Sequence, residues 1–352
     1  MKAVFFTKHG GNEVLEYGER DEPSPGPGEV RIAMRAAAMN RLDIFVRDGV
    51  PGVPLPQIPG ADGSGVVDAV GEGVAGLTPG DRVLVQPGLY CNACEFCRRG
   101  EQCLCVKFQI VGEHVPGTFA EKVVVPARNV FPIPGKLSFE EAAAFPLVYQ
   151  TAWRLVLTRG EARPGHTVLL HGGGGGVGGA VLEIAKLAGA RVFVTTSGEE
   201  KARHLAEAGA EIVLDYTKQD VAKEIRSLTG KRGVDLVVDC VGEKTWMTSL
   251  KCAANGGRIV TCGATTGPNP KEEIRLIFWK GLSILGSTMA NDSEFRTMLS
   301  AVAAGKLAPP RIDSTFSLSR ARQAYERLEH GEQFGKIVLV PDAATRNWPD
   351  GD

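Results

Sequence analysis

No apolar run in this chain of 352 residues reaches the roughly 18 to 20 residues that a helix needs to cross a bilayer, which argues against a membrane role. The opening Met1-Lys2-Ala3-Val4-Phe5-Phe6-Thr7-Lys8 lacks the apolar core and small-residue cleavage site of a secretory signal, so the expected location is the reducing cytoplasm. An excess of one charge is missing too. Forty basic residues against 41 acidic ones leave a net charge of −1, without the basic footprint of a nucleic-acid binder. The 44 glycines follow no collagen period and form no low-complexity tract. What is present is 43% hydrophobic content, ample for two cored domains.

Cysteine is concentrated in one place. Cys91, Cys94 and Cys97 lie close together, and Cys103 and Cys105 follow a short loop later. Three close thiols with a fourth nearby is metal-ligand spacing, and four thiolates satisfy a tetrahedral zinc with no position left for water or substrate. The site expected is therefore a closed, structural one. Arg98 and Arg99 lie in the same loop, where they either offset the dianionic centre or are simply solvated. Cys240, Cys252 and Cys262 are widely spaced in apolar surroundings and read as reduced core residues.

The first third of the chain alternates short β-rich runs with Pro and Gly, at 2–7, 29–37, 63–70 and 81–86, an all-β, barrel-like pattern. From about Gly165 the period changes. Apolar strands at 167–171, 191–196, 211–214, 234–239, 258–262 and 283–286 are separated by helical patterns such as 199–207 and 221–228, which predicts a parallel, doubly wound α/β sheet. Helical patterns and a closing strand at 336–340 complete the chain, and the polar tail 341–352 is expected to fray.

Between the first strand and first helix of the α/β region stands Gly173-x-Gly175-x-x-Gly178. Glycines there admit a tight turn and let backbone N–H groups approach a pyrophosphate at a helix N-terminus. Gly173, Gly175, Gly176, Val177 and Gly178 are thus assigned to a dinucleotide. An acid at the end of the second strand would favour NAD through the ribose 2′-OH. The chain instead has Thr196, Ser197 and Gly198, with Lys201 and Arg203 behind them and Glu199 and Glu200 between. Hydroxyls and positive charge favour a 2′-phosphate, hence NADP(H).

Together with Pro59-Gly60-Ala61-Asp62-Gly63-Ser64-Gly65-Val66-Val67, Thr151-Ala152-Trp153 and Gly335-Lys336-Ile337-Val338-Leu339, these motifs make the whole chain resemble the medium-chain dehydrogenase/reductases. It is most similar to their quinone oxidoreductase branch, with the structural-zinc lobe of the zinc-type alcohol dehydrogenases retained. The resemblance implies a GroES-like β-barrel domain at 1–148, a Rossmann domain at 149–288, and a return to the first domain at 289–352. It implies one structural zinc on Cys91, Cys94, Cys97 and Cys105, in a lobe spanning about 91–105. It also puts Asn40 and Thr151 near the nicotinamide, Lys201 and Tyr216 near the adenosine phosphate, and Gly263, Ala264 and Met289 where backbone contacts occur. Cys240 and Lys336 complete the implied cofactor set. Homodimers or homotetramers are common in this family, often joined at the edge strand that corresponds to 282–289.

The chain departs from the zinc-type enzymes where their catalytic metal is held. Asn40 stands for the first cysteine, Ala61-Asp62 for histidine-glutamate, and Leu147 falls near the last cysteine. Alanine and leucine cannot ligate zinc, so an open three-ligand site is not expected. Without a Lewis acid the easiest chemistry is hydride transfer from NADPH to an already electrophilic small molecule, a quinone or an α,β-unsaturated carbonyl, with solvent or a side chain supplying the proton. His114 and Tyr149 are candidate donors. Asn40, Asp62 and Thr151 are expected at the site, and Asp43 and Asp62 as hydrogen-bond acceptors or simply as turn and barrel-mouth residues. Two alternatives stand beside this reading: a zinc-type alcohol dehydrogenase, and a NADPH-binding sensory or scaffold protein with little turnover.

Overall fold

The computed structural model describes residues 1–342; the remainder of the expected tail, 343–352, lies outside the described residues. The chain divides into two compact units, one made of Met1–Leu147 with 309–342, the other of Val148–Ala308. The return to the first unit thus falls at Pro309, later than the Met289 boundary expected from sequence, and the helix Asp292–Ala303 belongs to the second unit.

The first unit is built on the strand Glu29–Ala38. It pairs antiparallel with Asp62–Val70, Lys122–Pro126 and Lys336–Val340, and the sheet extends through Arg82–Val85 and Val130–Pro132 on one side and Ile312–Ser317 on the other. Side chains alternate along such a strand. Val30, Ile32 and Met34 join Val83, Val85, Val123 and Val125 in one core. Beyond a register shift between Met34 and Ala36, Ala36 and Ala38 pack against Ala143, Ala144 and Val338. Ala37 and Met39 face a separate core with Phe6, Phe119 and Tyr325. Small residues at 36–38 let the helix Phe139–Ala144 lie close, and Ser138 caps it by accepting the Glu141 N–H (3.1 Å) while Glu141 accepts the Ser138 N–H (2.8 Å).

The second unit is a parallel sheet of β1 (Thr167–His171), β2 (Arg191–Thr196), β3 (Ile212–Asp215), β4 (Val234–Val238), β5 (Ala253–Thr261) and β6 (Ser283–Gly286), in spatial order β3-β2-β1-β4-β5-β6. Helix α1 (Gly176–Leu187) follows β1 and helix α2 (Glu199–Glu207) follows β2. β5 begins well before the expected residue 258, with a register shift against β4 between Val234 and Leu236. Leu169, Phe193, Leu214, Val237 and Ile259 from five strands form a core with Ile225, Trp246 and Leu250. Because every strand runs the same way, all their carboxyl ends lie on one edge, and the order reverses between β1 and β4, where such sheets bind ligands. No helix among the described residues is long and apolar enough to cross a membrane.

Candidate active site and metal centre

The lobe between the paired strands Gly88–Leu89 and Gln109–Ile110 brings four thiols together. The sulfur atoms of Cys91, Cys94, Cys97 and Cys105 all lie within 4.8 Å of one another. Cys94–Cys97, Cys91–Cys105 and Cys91–Cys97 are 3.6, 3.5 and 4.0 Å apart. Four sulfurs each about 2.3 Å from a tetrahedral zinc stand about 3.8 Å apart, so the donor set fits that ion. Backbone N–H groups point at the sulfurs: those of Cys94 and Ala93 at Cys91 (3.3 and 3.5 Å), and those of Cys91 and Lys107 at Cys105 (both 3.3 Å). N–H groups of Cys97 and Val106 hold the Cys94 thiol down at about 6, whereas burial pushes Cys97 up to about 12. Cys103 is buried with its thiol toward Glu101 (3.8 Å), apart from the cluster. Arg99 turns to Glu95 (3.8 Å) and lies over the Phe96 ring, so the sulfur charge is met by backbone donors, not by the arginine.

At the carboxyl edge of the second unit, steric room separates the glycines. A Cβ on Gly173 would lie 2.3 Å from Val194 Cγ1, and one on Gly178 would lie 2.5 Å from the Gly172 carbonyl oxygen. Gly178 is glycine because α1 packs tightly on the turn after β1, and Gly173 because that turn packs against Val194 of β2 and Leu205 of α2. A Cβ on Gly175 would meet nothing within 4 Å. No protein atom requires glycine there, and the open space at the N-terminus of a twelve-residue helix suits a pyrophosphate approaching the backbone. Of the other expected cofactor residues, all but Lys336, which lies buried in the first unit against Asn40 and Asp62, stand on the same edge. Thr196 ends β2, Ser197 and Gly198 lead into α2 and Lys201, Tyr216 follows β3, Cys240 follows β4, and Gly263 and Ala264 follow β5. Met289 lies beyond β6 in a left-handed conformation (φ 48°), uncommon for a side-chain-bearing residue, and its sulfur is 4.0 Å from Thr151 Oγ1. Asp239, fully buried, accepts from the Val241 and Gly242 N–H groups and the Thr245 and Ser249 hydroxyls. It shapes the loop after β4 and escaped the sequence reading, because a lone acid at a strand end carries no pattern.

In the first unit the register of three strands assembles a charged cluster. Ala38 pairs with Asp62 on one side and with Val338 on the other, so the antiparallel register continued by two residues sets Lys336 opposite Asn40. Lys336 Nζ donates to Asn40 Oδ1 (2.6 Å) and Asp62 Oδ2 (3.1 Å), and Asn40 Nδ2 donates to Asp62 Oδ2 (2.9 Å). The Leu147 N–H takes the other carboxylate oxygen at 2.8 Å. The Lys336 and Asp62 side chains are 2% and 0% exposed. Asp43 supports the cluster from the helix Arg41–Asp48, accepting the N–H of Asn40 (2.7 Å) and of Gly60 (3.2 Å). Burial raises the Asp43 carboxyl to about 7. Asn40 and Asp62 were expected at the site; their union with Lys336 was not, because only strand register brings residues 274 and 296 positions apart together.

The two proton-donor candidates are placed differently. His114 Nδ1 accepts the Ile110 N–H (3.2 Å), and its Nε2 lies 3.9 Å from Glu113. Tyr149 is buried, donates its hydroxyl to the Ala308 carbonyl (2.6 Å), and has its ionisation pushed well above the usual tyrosine range by desolvation. That arrangement removes Tyr149 from the donors expected from sequence.

Residues 26–135 match the family model described as the alcohol dehydrogenase GroES-like domain, and residues 176–304 match the one described as zinc-binding dehydrogenase. The chain is 31% identical to a quinone oxidoreductase of Pseudomonas aeruginosa, over 97% of its own length and 99% of that protein. It is 33% identical to an acryloyl-coenzyme A reductase of Metallosphaera sedula, over 97% and 100%. A solved NAD-dependent alcohol dehydrogenase superposes with a TM-score of 0.94 at 47% identity, over 97% of this chain and 100% of that one. With its GroES-like unit, parallel Rossmann sheet and four-cysteine lobe, the chain belongs to the medium-chain dehydrogenase/reductases and is an oxidoreductase that uses a nicotinamide cofactor and carries a zinc lobe.

Proposed function

We propose that this enzyme uses NADP(H) to transfer hydride to an electrophilic conjugated acceptor, a quinone or an α,β-unsaturated carbonyl, with one structural zinc and no catalytic metal. The observation that carries the proposal is the Lys336 ammonium held between Asn40 and Asp62. These are the ligand-capable side chains where the resemblance puts a catalytic metal, and both already serve a buried cation. Ala61 and Leu147 add no donor side chain. Among the described residues, the one group of three or more Cys, His, Asp or Glu side chains close enough to hold a metal is the four-cysteine lobe. An acceptor that needs no Lewis acid fits such a site.

Bound reduced nicotinamide supplies the hydride. The open backbone at Gly175 and the N-terminus of α1 hold the pyrophosphate, and Thr196, Ser197, Lys201 and Tyr216 receive the adenosine phosphate. The absence of an acid at the end of β2 supports the 2′-phosphate. Thr151 is the second unit's residue assigned by resemblance to the nicotinamide, and in the first unit Asn40 is locked in one rotamer by Lys336 and Asp62. His114, whose Nδ1 is taken by a backbone N–H, keeps Nε2 for proton exchange with solvent or product. The unpaired edge of β6 and the helix Ile274–Lys280, with Phe278 67% and Trp279 83% exposed, support a homo-oligomer joined there.

The relative at 47% identity favours a second reading, NAD-dependent oxidation of an alcohol. Both are tested by following NADPH and NADH consumption against quinones, enones and simple aldehydes on protein of known zinc content. Turnover of conjugated acceptors with about one zinc per chain, the content of a single closed four-cysteine site, supports the proposal. Activity confined to aldehydes or alcohols and lost with a second, removable metal refutes it.

A further inference from the structure

Two cysteines lie at the cofactor edge and take no part in the zinc lobe. Cys240 follows β4 and Cys262 follows β5, and their sulfur atoms are 3.2 Å apart. The backbone explains the approach. Val238 pairs with Val260 in the parallel ladder, the Asp239 N–H donates to the Val260 carbonyl (3.0 Å), and the Thr265 N–H reaches the Cys240 carbonyl (3.4 Å). The same register carried two residues further sets Cys240 beside Cys262. Neighbouring strands run about 4.8 Å apart, inside the Cα span of roughly 4.4–6.8 Å that a disulfide bridges. Both thiols are half-buried on the edge where the order of strands reverses. The loop carrying Cys240 abuts the glycine turn, since a Cβ on Gly172 would lie 3.6 Å from Val241 Cγ2.

We infer that Cys240 and Cys262 form a modification site at which a hydroperoxide closes an intramolecular disulfide and thereby weakens dinucleotide binding. The hydrogen bond with Cys240 and, after it, desolvation push the Cys262 thiol well above its usual range, which leaves Cys240, 3.2 Å away, as the attacking sulfur. The Cys240 sulfur bonds to one peroxide oxygen as the O–O bond breaks, giving a sulfenic acid, and the departing oxygen leaves with the Cys240 proton as water or an alcohol. Cys262 sulfur then attacks that sulfenic sulfur, an S–S bond forms, and hydroxide leaves with the Cys262 proton as water. The two sulfurs together lose two electrons, and the O–O bond gains them. Joining them draws the loop after β4 toward β5, narrowing its freedom where the dinucleotide must lie. Linkage makes the effect reciprocal, so bound dinucleotide shifts the dithiol–disulfide equilibrium toward the dithiol.

The effect on binding rests on the nicotinamide reading; the bond itself does not. Zinc-loaded full-length protein is treated with hydrogen peroxide, digested without reduction, and mapped by mass. Affinities for NADPH and NADH are measured before and after treatment. The expected result is a peptide pair joined through Cys240 and Cys262 with two hydrogens lost, dinucleotide binding weakened about tenfold, and recovery with dithiothreitol. Cys262→Ser should bind dinucleotide like the untreated protein and lose the response; Cys262→Ala serves if the serine variant does not fold. Free Cys240 and Cys262 after a treatment that oxidises other residues overturn the inference, as does a formed crosslink with unchanged affinity. Untreated protein that binds neither dinucleotide sinks the cofactor reading and the regulatory effect together, while the mass map still decides the bond.

Discussion

Replacing Lys336 by methionine removes the cation of the buried cluster at nearly constant volume. Asp62, 0% exposed, keeps the Asn40 amide and the Leu147 N–H but loses its counter-charge. Breaking one side of a buried ion pair costs about 3–5 kcal/mol, most of it the desolvation of the charge left behind. Lys336→Met should therefore destabilise the first unit by that amount. Asp62→Asn should cost a similar amount, because it strands the ammonium. The double variant removes both charges while an amide oxygen still accepts from Leu147, so it should cost less than the two singles summed, with a coupling of about 2 kcal/mol. Native-state hydrogen exchange of the strands Glu29–Ala38 and Lys336–Val340 reads this directly, as opening free energies local to the cluster. Additivity within about 0.5 kcal/mol would mean that the three side chains do not act as a unit and that the metal-free reading loses its main support.

Other consequences follow from the same geometry. Cys94→Ser should drop zinc content to near zero and lower the thermal midpoint, since a closed site is coupled to folding; an unchanged midpoint in zinc-free protein would contradict a structural role. Asp43 ionises near 3.8 in the unfolded chain and near 7 when folded, so the folded state holds its extra proton between those values. Its contribution is full below pH 3.8 and is lost as pH rises to 7, an effect of up to about 4 kcal/mol. Asp43→Asn should remove that slope, and urea midpoints at pH 5 and 7.5 that differ equally in both proteins would exclude it. Gly175→Ala should leave the thermal midpoint within a degree or two yet weaken dinucleotide binding at least about tenfold, because its Cβ enters space meant for phosphate. Gly173→Ala, which must displace Val194, should lower the midpoint as well, and calorimetry with titration separates the two outcomes. Trp279→Glu should reduce the sedimentation coefficient if the exposed helix Ile274–Lys280 is an oligomer contact; an unchanged value would place that contact elsewhere.

Local chemistry explains why so much was legible in the chain. Strand and helix periods at 167–171, 191–196, 199–207 and 221–228 survive into the structure with their bounds intact, because alternating β and α runs each bury one face against the same sheet. Cys91, Cys94 and Cys97 sit within one short loop, so their convergence is a local property. The glycine run announces a close backbone approach by its spacing alone. Cys105 over Cys103 was a matter of resemblance until the loop's path turned one thiol to the cluster and the other to Glu101.

The rest depended on long-range pairing. Residues 40, 62 and 336 meet because three strands share one register around Ala38, and nothing within any of the three segments specifies its partner. Register likewise set Cys240 against Cys262, and burial turned Tyr149 from a proton donor into a fixed hydrogen bond to Ala308. The sequence by itself determined the fold class, the zinc lobe and the glycine turn between β1 and α1, since short-range spacing and periodicity encode those. Only the tertiary structure decided which charges face one another and how deeply they are buried, because both depend on backbone segments far apart in the chain coming within a few ångströms.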